Sequence, residues 1–169
     1  MLAGAAGTWA QEPVTDPWAR VRFFVGNWQG VASGRPGDGT VVRQYELVLG
    51  QRFLHEKNVS TYPPQERNKK GETHEHWSFL SYDRARKVLV LRQFHIEGFV
   101  NQYALVPEES APDKLVFEGE GFENVGGKWR GRETYRILGP DEFTETFELA
   151  APGKPFEIYS TNHFKRSRP

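Results

Sequence analysis

The chain has 169 residues and a formal net charge of zero, because 22 Lys+Arg are balanced by 22 Asp+Glu. A zero balance argues against a protein that holds nucleic acid or an anionic membrane through bulk charge. The absence of cysteine excludes disulfides, thiolate catalysis and cysteine-ligated zinc. Aromatic residues make up 14% of the chain and predict one packed domain. We therefore expect no nucleic-acid partner, and no membrane-spanning segment, since no apolar run approaches the ~20 residues of a span.

The segment 1–12 is interpreted as a leader or the remnant of a signal peptide. It is small and apolar as far as Ala10, and Thr8-Trp9-Ala10 resembles a small-x-small cleavage site, although no basic region precedes it. Both an export signal and a solvated leader remain open. The abrupt change to Gln11-Glu12 favours export, and hence an exported or periplasmic protein over a cytoplasmic one.

The first predicted element is a short N-terminal helix. Asp16 can cap free N–H groups and Pro17 suits the first helical position, so the segment 18–24 is predicted to form at most two turns.

The rest of the chain, up to residue 169, consists of short alternating runs separated by Gly, Pro and Asp, a pattern typical of strands and turns. The predicted strands are 25–34, 40–49, 51–61, 72–82, 87–96, 99–106, 114–122, 129–138, 142–150 and 156–166. Short connections favour antiparallel pairing of successive strands. Since about ten long strands exceed a comfortable open sheet, the sequence predicts an all-β, ten-stranded, up-and-down antiparallel barrel over residues 13–169.

The hairpin around residues 139–141 places two carboxylates inside the barrel. The side chains of Arg130, Arg132 and Arg136 must face water, so Glu133 and Tyr135 face inward. The pairing that follows puts Tyr135 opposite Glu145 and Glu133 opposite Phe147.

The turn at Glu97-Gly98 predicts a second hairpin, in which Ile96 pairs with Phe99. This register puts Arg92 opposite Tyr103 and directs Arg92, Asn101 and Tyr103 inward. The other face of this hairpin also combines apolar and polar residues, so the choice of the inward face depends on the predicted turn.

Extending the alternation to the other strands predicts an aromatic interior with a polar minority. The predicted aromatic lining residues are Trp28, Tyr45, Trp77, Tyr103, Trp129, Tyr135 and Phe147, and the polar ones are Arg43, Arg92, Asn101, Glu133, Glu145 and Asn162.

Two interpretations of this interior remain open. In one, the two arginines neutralise the two glutamates in a buried structural network. In the other, polar groups orient a ligand inside a cavity, as a barrel of ten strands is wider than side chains alone fill. We favour the second and expect a small, largely apolar ligand.

The stretch Gly26-Asn27-Trp28, after a short helix, resembles the opening of lipocalin/calycin-superfamily barrels. The resemblance implies that Trp28 closes one end of the barrel and that a C-terminal basic residue, Lys165 or Arg166, packs across it. The stretches 76–83 and 92–103 are also similar to an uncharacterised lipocalin-like domain family.

A more distant similarity, to the nitrobindin family, rests on Gly26, Trp28 and Gly30. It implies haem as a cofactor, with His163 as the axial ligand. Strand alternation directs His163 outward, so this alternative requires a bulge in the last strand.

Histidines 74 and 76 lie on one face of a strand, a spacing that chelates a metal when a neighbour such as His55 or His95 adds a third ligand. If Trp77 faces inward, however, both histidines face solvent. We therefore expect an exposed polar strand here and no metal site.

The chain shows no nucleophile elbow and no phosphate loop. Catalysis remains as an alternative through Glu133, Tyr135 and Glu145, because a carboxyl group in an apolar cavity can act as acid or base near neutrality. Phenolic acid decarboxylases offer a fold-level analogy. The sequence favours a binding protein over an enzyme.

Overall fold

In the computed structural model, which describes residues 16–168, the chain folds into ten β-strands and two 3-10 helices. The strands are β1 (Gly26–Gly34), β2 (Gly39–Val48), β3 (Phe53–Tyr62), β4 (Glu72–Asp83), β5 (Val88–His95), β6 (Val100–Leu105), β7 (Lys114–Glu123), β8 (Arg130–Gly139), β9 (Glu142–Ala150) and β10 (Glu157–Arg166). Their bounds lie within two residues of the predicted ones at each end.

The strands form a closed antiparallel barrel in chain order, in which β1 also pairs with β10. Closure brings Trp28 opposite Arg166, so both ends of the described chain meet at one end of the barrel. The all-β, ten-stranded, antiparallel barrel predicted from the sequence is confirmed, as is the β8–β9 register that pairs Tyr135 with Glu145.

The predicted short N-terminal helix over 18–24 is reduced to three residues of 3-10 helix. A turn follows Asp16, whose carboxylate accepts a hydrogen bond from the Trp18 backbone N–H at 2.9 Å, and it leads into a 3-10 helix, Arg22–Phe24. This short segment buries Val21 and Phe24 against the barrel end, and that packing decides its conformation. The predicted leader, 1–12, lies outside the described residues.

The second 3-10 helix is Pro107–Glu109. Within the described residues, the chain contains no helix of the length and apolarity that a membrane crossing requires.

One end of the barrel is sealed by aromatic side chains. Phe143 packs edge-on against Trp28 and Phe24, at centroid distances of 4.8 and 5.0 Å, and stacks on Phe164 at 4.6 Å. The indole N–H of Trp28 donates to the Phe24 carbonyl at 2.6 Å. Gly30, two residues further on, has no room for a side chain, because a Cβ there would lie 2.1 Å from the His163 carbonyl oxygen.

Arg166 lies across this sealed end, as the lipocalin/calycin resemblance implied for Lys165 or Arg166. Its guanidinium carbon lies 4.1 Å from the centre of the Trp28 ring. It donates to the carbonyls of Phe23 and Val25 at 2.8 Å each, and to the Asp141 carboxylate at 3.0 Å. The last strand is thereby tied to the segment that enters the first.

The inward faces of β4 and β5 are the opposite of those predicted. The β5–β6 turn contains three residues, 96–98, so that His95 faces Phe99 and Phe94 pairs with Val100. Gly98, at φ +87°, takes the left-handed position of this turn. One extra turn residue exchanges the two faces of a strand.

Two predicted lining residues are therefore on the outside. Arg92 bonds to Gln102 and Ser81 on the outer surface. Trp77 is 46% exposed and lies beside Glu75, also on the outside. Gln93 and His76 take the corresponding inward positions.

The last strand carries a bulge. Ile158 pairs with Glu148 and Ser160 with Phe147, so Tyr159 is the extra residue. Regular alternation from Asn162 predicts Ile158 inward and Tyr159 outward. The bulge reverses both, since Ile158 is exposed and Tyr159 lines the interior.

We expect Arg166→Ala to lower the free energy of unfolding by about 2–3 kcal/mol, because charged hydrogen bonds and a cation–π contact are lost together. Urea unfolding followed by tryptophan fluorescence measures this.

Arg168→Ala is the matched control, as Arg168 bonds to the same Asp141 but its side chain is 80% exposed. It should cost no more than about 0.5 kcal/mol. Equal losses in the two variants would contradict the role given to Arg166.

Candidate functional site

The interior of the barrel has a filled half and an open half. Beside the sealed end, side chains such as Leu54, Leu91, Phe117 and Tyr135 leave a void of only about 30 Å³. The other half contains a cavity of about 600 Å³, a volume in the range of small-molecule sites.

The cavity wall combines aromatic rings with many polar side chains. The aromatic residues are Tyr62, Phe99, Phe122, Trp129, Phe147 and Tyr159. The polar or charged ones include Arg43, Asn58, Ser60, His74, His76, Gln93, His95, Asn101, Glu133, Glu145, Ser160 and Asn162. The wall is thus more polar than the sequence predicted.

A buried ionic layer separates the two halves, and Arg43 is its centre. Its guanidinium donates to both carboxylate oxygens of Glu145, at 2.8 and 2.7 Å, and its Nε lies 3.0 Å from the Glu56 carboxylate. It also donates to the Asn58 side-chain oxygen at 2.9 Å and to the Tyr45 hydroxyl at 3.1 Å. Arg43 and Glu145 line the cavity while Glu56 lines the small void, so this layer is the cavity floor.

The charges in the floor stabilise one another. Burial disfavours the charge of Arg43, but the carboxylates of Glu145 and Glu56 raise its pKa well above the ordinary value. Burial likewise opposes ionisation of Glu145, yet the charge and hydrogen bonds of Arg43, with a bond from Asn162, lower its pKa. Both therefore remain charged at neutral pH.

Glu133 behaves differently from Glu145. Burial, and then the charge of Glu145, raise the pKa of Glu133 well above its usual value, and Arg43 offsets this only in part. Gln93 hydrogen bonds to it. Glu133 is therefore a cavity carboxyl that retains its proton to higher pH than an exposed glutamate.

Three of the five histidines of the chain converge on the cavity wall. His74 and His76 lie two apart on β4, and His76 is paired across the strands with His95 of β5. His74 Nε2 is 3.4 Å from His76 Nδ1 and 3.2 Å from His95 Nδ1. We refer to His74, His76 and His95 as the histidine cluster.

Each ring of the histidine cluster has an outer partner on its other nitrogen. His74 Nδ1 is 2.8 Å from the Glu97 carboxylate, and His76 Nε2 is 3.0 Å from that of Glu56. His95 Nε2 is 3.2 Å from the Asn101 amide. Burial and the two neighbouring histidines lower the pKa of His95 to about 2, which leaves its ring neutral.

The predicted site residues divide into three groups. Those that line the cavity are Arg43, Asn101, Trp129, Glu133, Glu145, Phe147 and Asn162. Those in the solid core, outside the cavity lining, are Trp28, Tyr45, Tyr103 and Tyr135. Trp77 and Arg92 are on the outer surface, for the reason given above.

The expected pairing of two arginines with two glutamates is also corrected. Arg92 is outside, so Arg43 alone serves the floor carboxylates. The second carboxylate paired with Arg43 belongs to Glu56. Glu133 has no arginine of its own, and its pKa is raised by burial.

The expectation that His74 and His76 form part of an exposed polar strand is wrong. His76 is buried, His74 is half-buried, and both line the cavity, because the face of β4 that carries Trp77 is the outer one.

His163, the residue named for haem ligation, is on the outside of the barrel. Its Nε2 lies 2.6 Å from the Glu142 carboxylate, and the bulge of β10 at Tyr159 leaves its direction unchanged. His163 is not among the residues that line the cavity.

Sequence reasoning missed the contribution of β3. Its inward residues Glu56, Asn58 and Ser60 lie between the apolar Leu54 and Tyr62. Strand alternation could have identified these three residues, because it places three polar side chains at consecutive inward positions. Gln93 and His95 were not predicted, because a two-residue turn at Glu97-Gly98 directs their face of β5 outward, and the observed three-residue turn directs it inward.

No protein-family model and no curated protein matches the chain. Among solved structures it is similar to Rv2717c from M. tuberculosis, with a TM-score of 0.63 and 17% sequence identity, over 92% of this chain and 100% of that chain. At this identity the likeness shows a shared fold.

We expect Arg43→Met to lower the free energy of unfolding by about 3–5 kcal/mol at pH 7, because it leaves the buried carboxylate of Glu145 without its counter-charge. Arg92→Met, on the outer face of the same barrel, is the control and should cost less than about 1 kcal/mol. Urea unfolding gives both values, and similar costs would show that Arg43 is not central to the interior.

Glu133→Gln should stabilise the protein at pH 8 and leave it unchanged at pH 4. The unfolded chain loses this proton near pH 4.5, while the folded protein retains it to higher pH, so the parent protein loses stability as pH rises through that window. Each unit of pKa elevation corresponds to about 1.4 kcal/mol, or about 3–6 °C in Tm.

Thermal unfolding at the two pH values checks this. A glutamine at position 133 does not titrate, but it has the same shape as glutamate and can still hydrogen bond to Gln93. An increase in Tm of the same size at both pH values would show that packing, and not the raised pKa of Glu133, is responsible.

Proposed function

We propose that this protein binds a small molecule in the open half of its barrel. The observation that carries the proposal is the 600 Å³ cavity, whose aromatic walls stand on a fixed polar floor. We infer a ligand with an apolar, ring-like body and hydrogen-bonding groups at the end that reaches the floor. This ligand is more polar than the one expected from the sequence.

The aromatic walls support the apolar part of this ligand. Phe147 and Tyr159 contact each other on β9 and β10, with ring centroids 5.7 Å apart. Phe99, Phe122 and Trp129 also line the cavity. Aromatic rings bury large areas with few rotatable bonds, which favours contact with a flat apolar molecule.

The floor supports the polar part. The Asn162 amide N–H donates to Glu145 at 2.8 Å, which fixes the orientation of the amide. Its oxygen is buried and has no partner among the described residues. A ligand hydroxyl or N–H group would satisfy this acceptor, since a buried polar atom without a partner costs about 1–3 kcal/mol.

Binding is better supported than acid–base catalysis. Both oxygens of Glu145 are occupied by Arg43, and one of them also by Asn162, so Glu145 is committed to the floor. Of the three residues predicted for catalysis, Tyr135 lies in the solid core, and only Glu133 remains in the cavity with a proton to exchange. We therefore propose a binding protein and regard Glu133 as a group that orients its ligand.

We also propose that the barrel belongs among the lipocalin/calycin-like folds. The meander of ten strands and the contact of Arg166 with Trp28 support this assignment.

Two half-exposed tryptophans provide the test. Trp129 lines the cavity and is 41% exposed, whereas Trp77 is 46% exposed on the outer surface. A panel of flat aromatic compounds with hydroxyl or amino groups is titrated against the protein, and binding is followed by calorimetry. We expect Trp129→Ala to weaken binding about 10-fold or more, because an aromatic contact is worth about 1.5 kcal/mol.

Trp77→Ala is the matched control and should bind as the parent does. Native mass spectrometry of the protein purified from its own source then shows which molecule it retains. Equal affinity in the two variants, or no binding across the panel together with no retained molecule, would refute the proposal.

A further inference from the structure

We propose that the histidine cluster binds one divalent first-row transition-metal ion on the wall of the cavity. His74, His76 and His95 come from two neighbouring strands, and their rings share the inner face because of the β4–β5 register. The site is separate from the ionic floor but connected to it, since His76 bonds to Glu56 and Glu56 to Arg43.

The spacing of the ring nitrogens fits a metal. His74 Nε2 lies 3.4 and 3.2 Å from the nearest nitrogens of His76 and His95. Two nitrogens bound to tetrahedral Zn²⁺ at 2.0–2.1 Å are about 3.3 Å apart. One ligand atom from each of the three residues lies within 4.8 Å of the others, so an ion can contact all three with small ring movements.

The outer partners orient the lone pairs toward the ion. A carboxylate can only accept, so Glu97 selects the form of His74 with its proton on Nδ1. Glu56 selects the form of His76 with its proton on Nε2. The lone pairs of His74 Nε2 and His76 Nδ1 then face each other at 3.4 Å. A bound cation converts this repulsion into coordination, and carboxylate–histidine–metal arrangements are common in metalloproteins.

His95 joins the site by a change of tautomer. Without metal, His95 can donate from Nδ1 to His74 and accept from the Asn101 amide N–H. To bind a metal through Nδ1, His95 carries its proton on Nε2 and Asn101 turns its amide by 180°. The Asn101 oxygen, which has no partner among the described residues, then accepts a hydrogen bond from His95 Nε2–H.

The chemistry of the ligands indicates which ions fit. Three neutral imidazoles suit Zn²⁺, Co²⁺, Ni²⁺, Cu²⁺ or Fe²⁺, and not the oxygen-preferring Mg²⁺ and Ca²⁺. Three protein ligands leave a coordination position free. Because all three rings line the cavity, that position faces the cavity interior.

Cobalt is the probe for the experiment, in the full chain and without any organic ligand. The protein is treated with a chelator, dialysed and titrated with Co²⁺. We expect one Co²⁺ per chain and the intense visible absorption of a low-coordinate cobalt site. Zn²⁺ should displace the cobalt and abolish the absorption.

Variants of the ligands identify the site. His76→Gln or His95→Gln should weaken Co²⁺ binding by more than about 100-fold, beyond the effect typical of outer partners. His163→Gln, the same replacement on the outer surface, should leave the affinity unchanged. Affinity that survives the loss of His76 and His95, or that falls equally in His163→Gln, overturns the proposal.

Glu97 and Glu46 allow a test that leaves the three histidines and the buried ionic layer unchanged. Glu97 is 48% exposed and contacts His74. Glu46 is 50% exposed and contacts His55. Glu97→Gln should weaken Co²⁺ binding by about 10–100-fold, whereas Glu46→Gln should have no effect. Identical affinities in these two variants count against the orientation of His74 by Glu97 and overturn this part of the proposal.

NMR of the unmodified protein gives a result that no folding defect can obscure. On addition of Zn²⁺, the ¹⁵N shifts should show coordination through Nε2 of His74 and Nδ1 of His76 and His95. Unchanged rings in all three residues would refute the site. Since no organic ligand is present, failure of the small-molecule proposal does not affect this outcome.

Discussion

The interior of this barrel depends on Arg43 and the carboxylates that neutralise it. A guanidinium buried between strands is tolerated only when its donors find acceptors, and Arg43 finds both oxygens of Glu145, the carboxylate of Glu56 and the side chain of Asn58. Because these groups belong to β2, β3 and β9, the layer connects distant parts of the closed sheet. Below it the interior is solid, and above it a wide polar cavity remains.

The same layer connects the floor to the wall. Glu56 bonds to Arg43 on one side and to His76 on the other, and His76 lies beside His74 and His95. The charges of Arg43 and Glu56 and the tautomers and ring orientations of the histidines are therefore linked across four neighbouring strands, β2 to β5. Such a network favours fixed polar groups in the cavity, and a preorganised site loses less conformational freedom when a ligand binds.

Much of the fold was predictable because turns and alternation are local. The ten strands, their order and the β8–β9 register follow from the positions of Gly, Pro and Asp and from an arginine-rich face that must meet water. The same logic placed Arg43, Glu133 and Glu145 inside. It failed for Trp77 and Arg92, because the turn at 96–98 contains three residues and the sequence pattern predicts two. One residue of register exchanges the faces of a strand, and both faces of this hairpin are mixed in composition.

The sequence by itself determined the barrel, its closure at Trp28 and the presence of buried charge, because each depends on periodicity or on a short motif. Only the tertiary structure decided which charges meet. The pairing of Arg43 with Glu56 and Glu145, and the approach of His74 and His76 to His95, depend on strand registers that side-chain alternation does not specify. Contacts between strands far apart in the chain are fixed by closure of the whole sheet, and the cavity is formed by that closure.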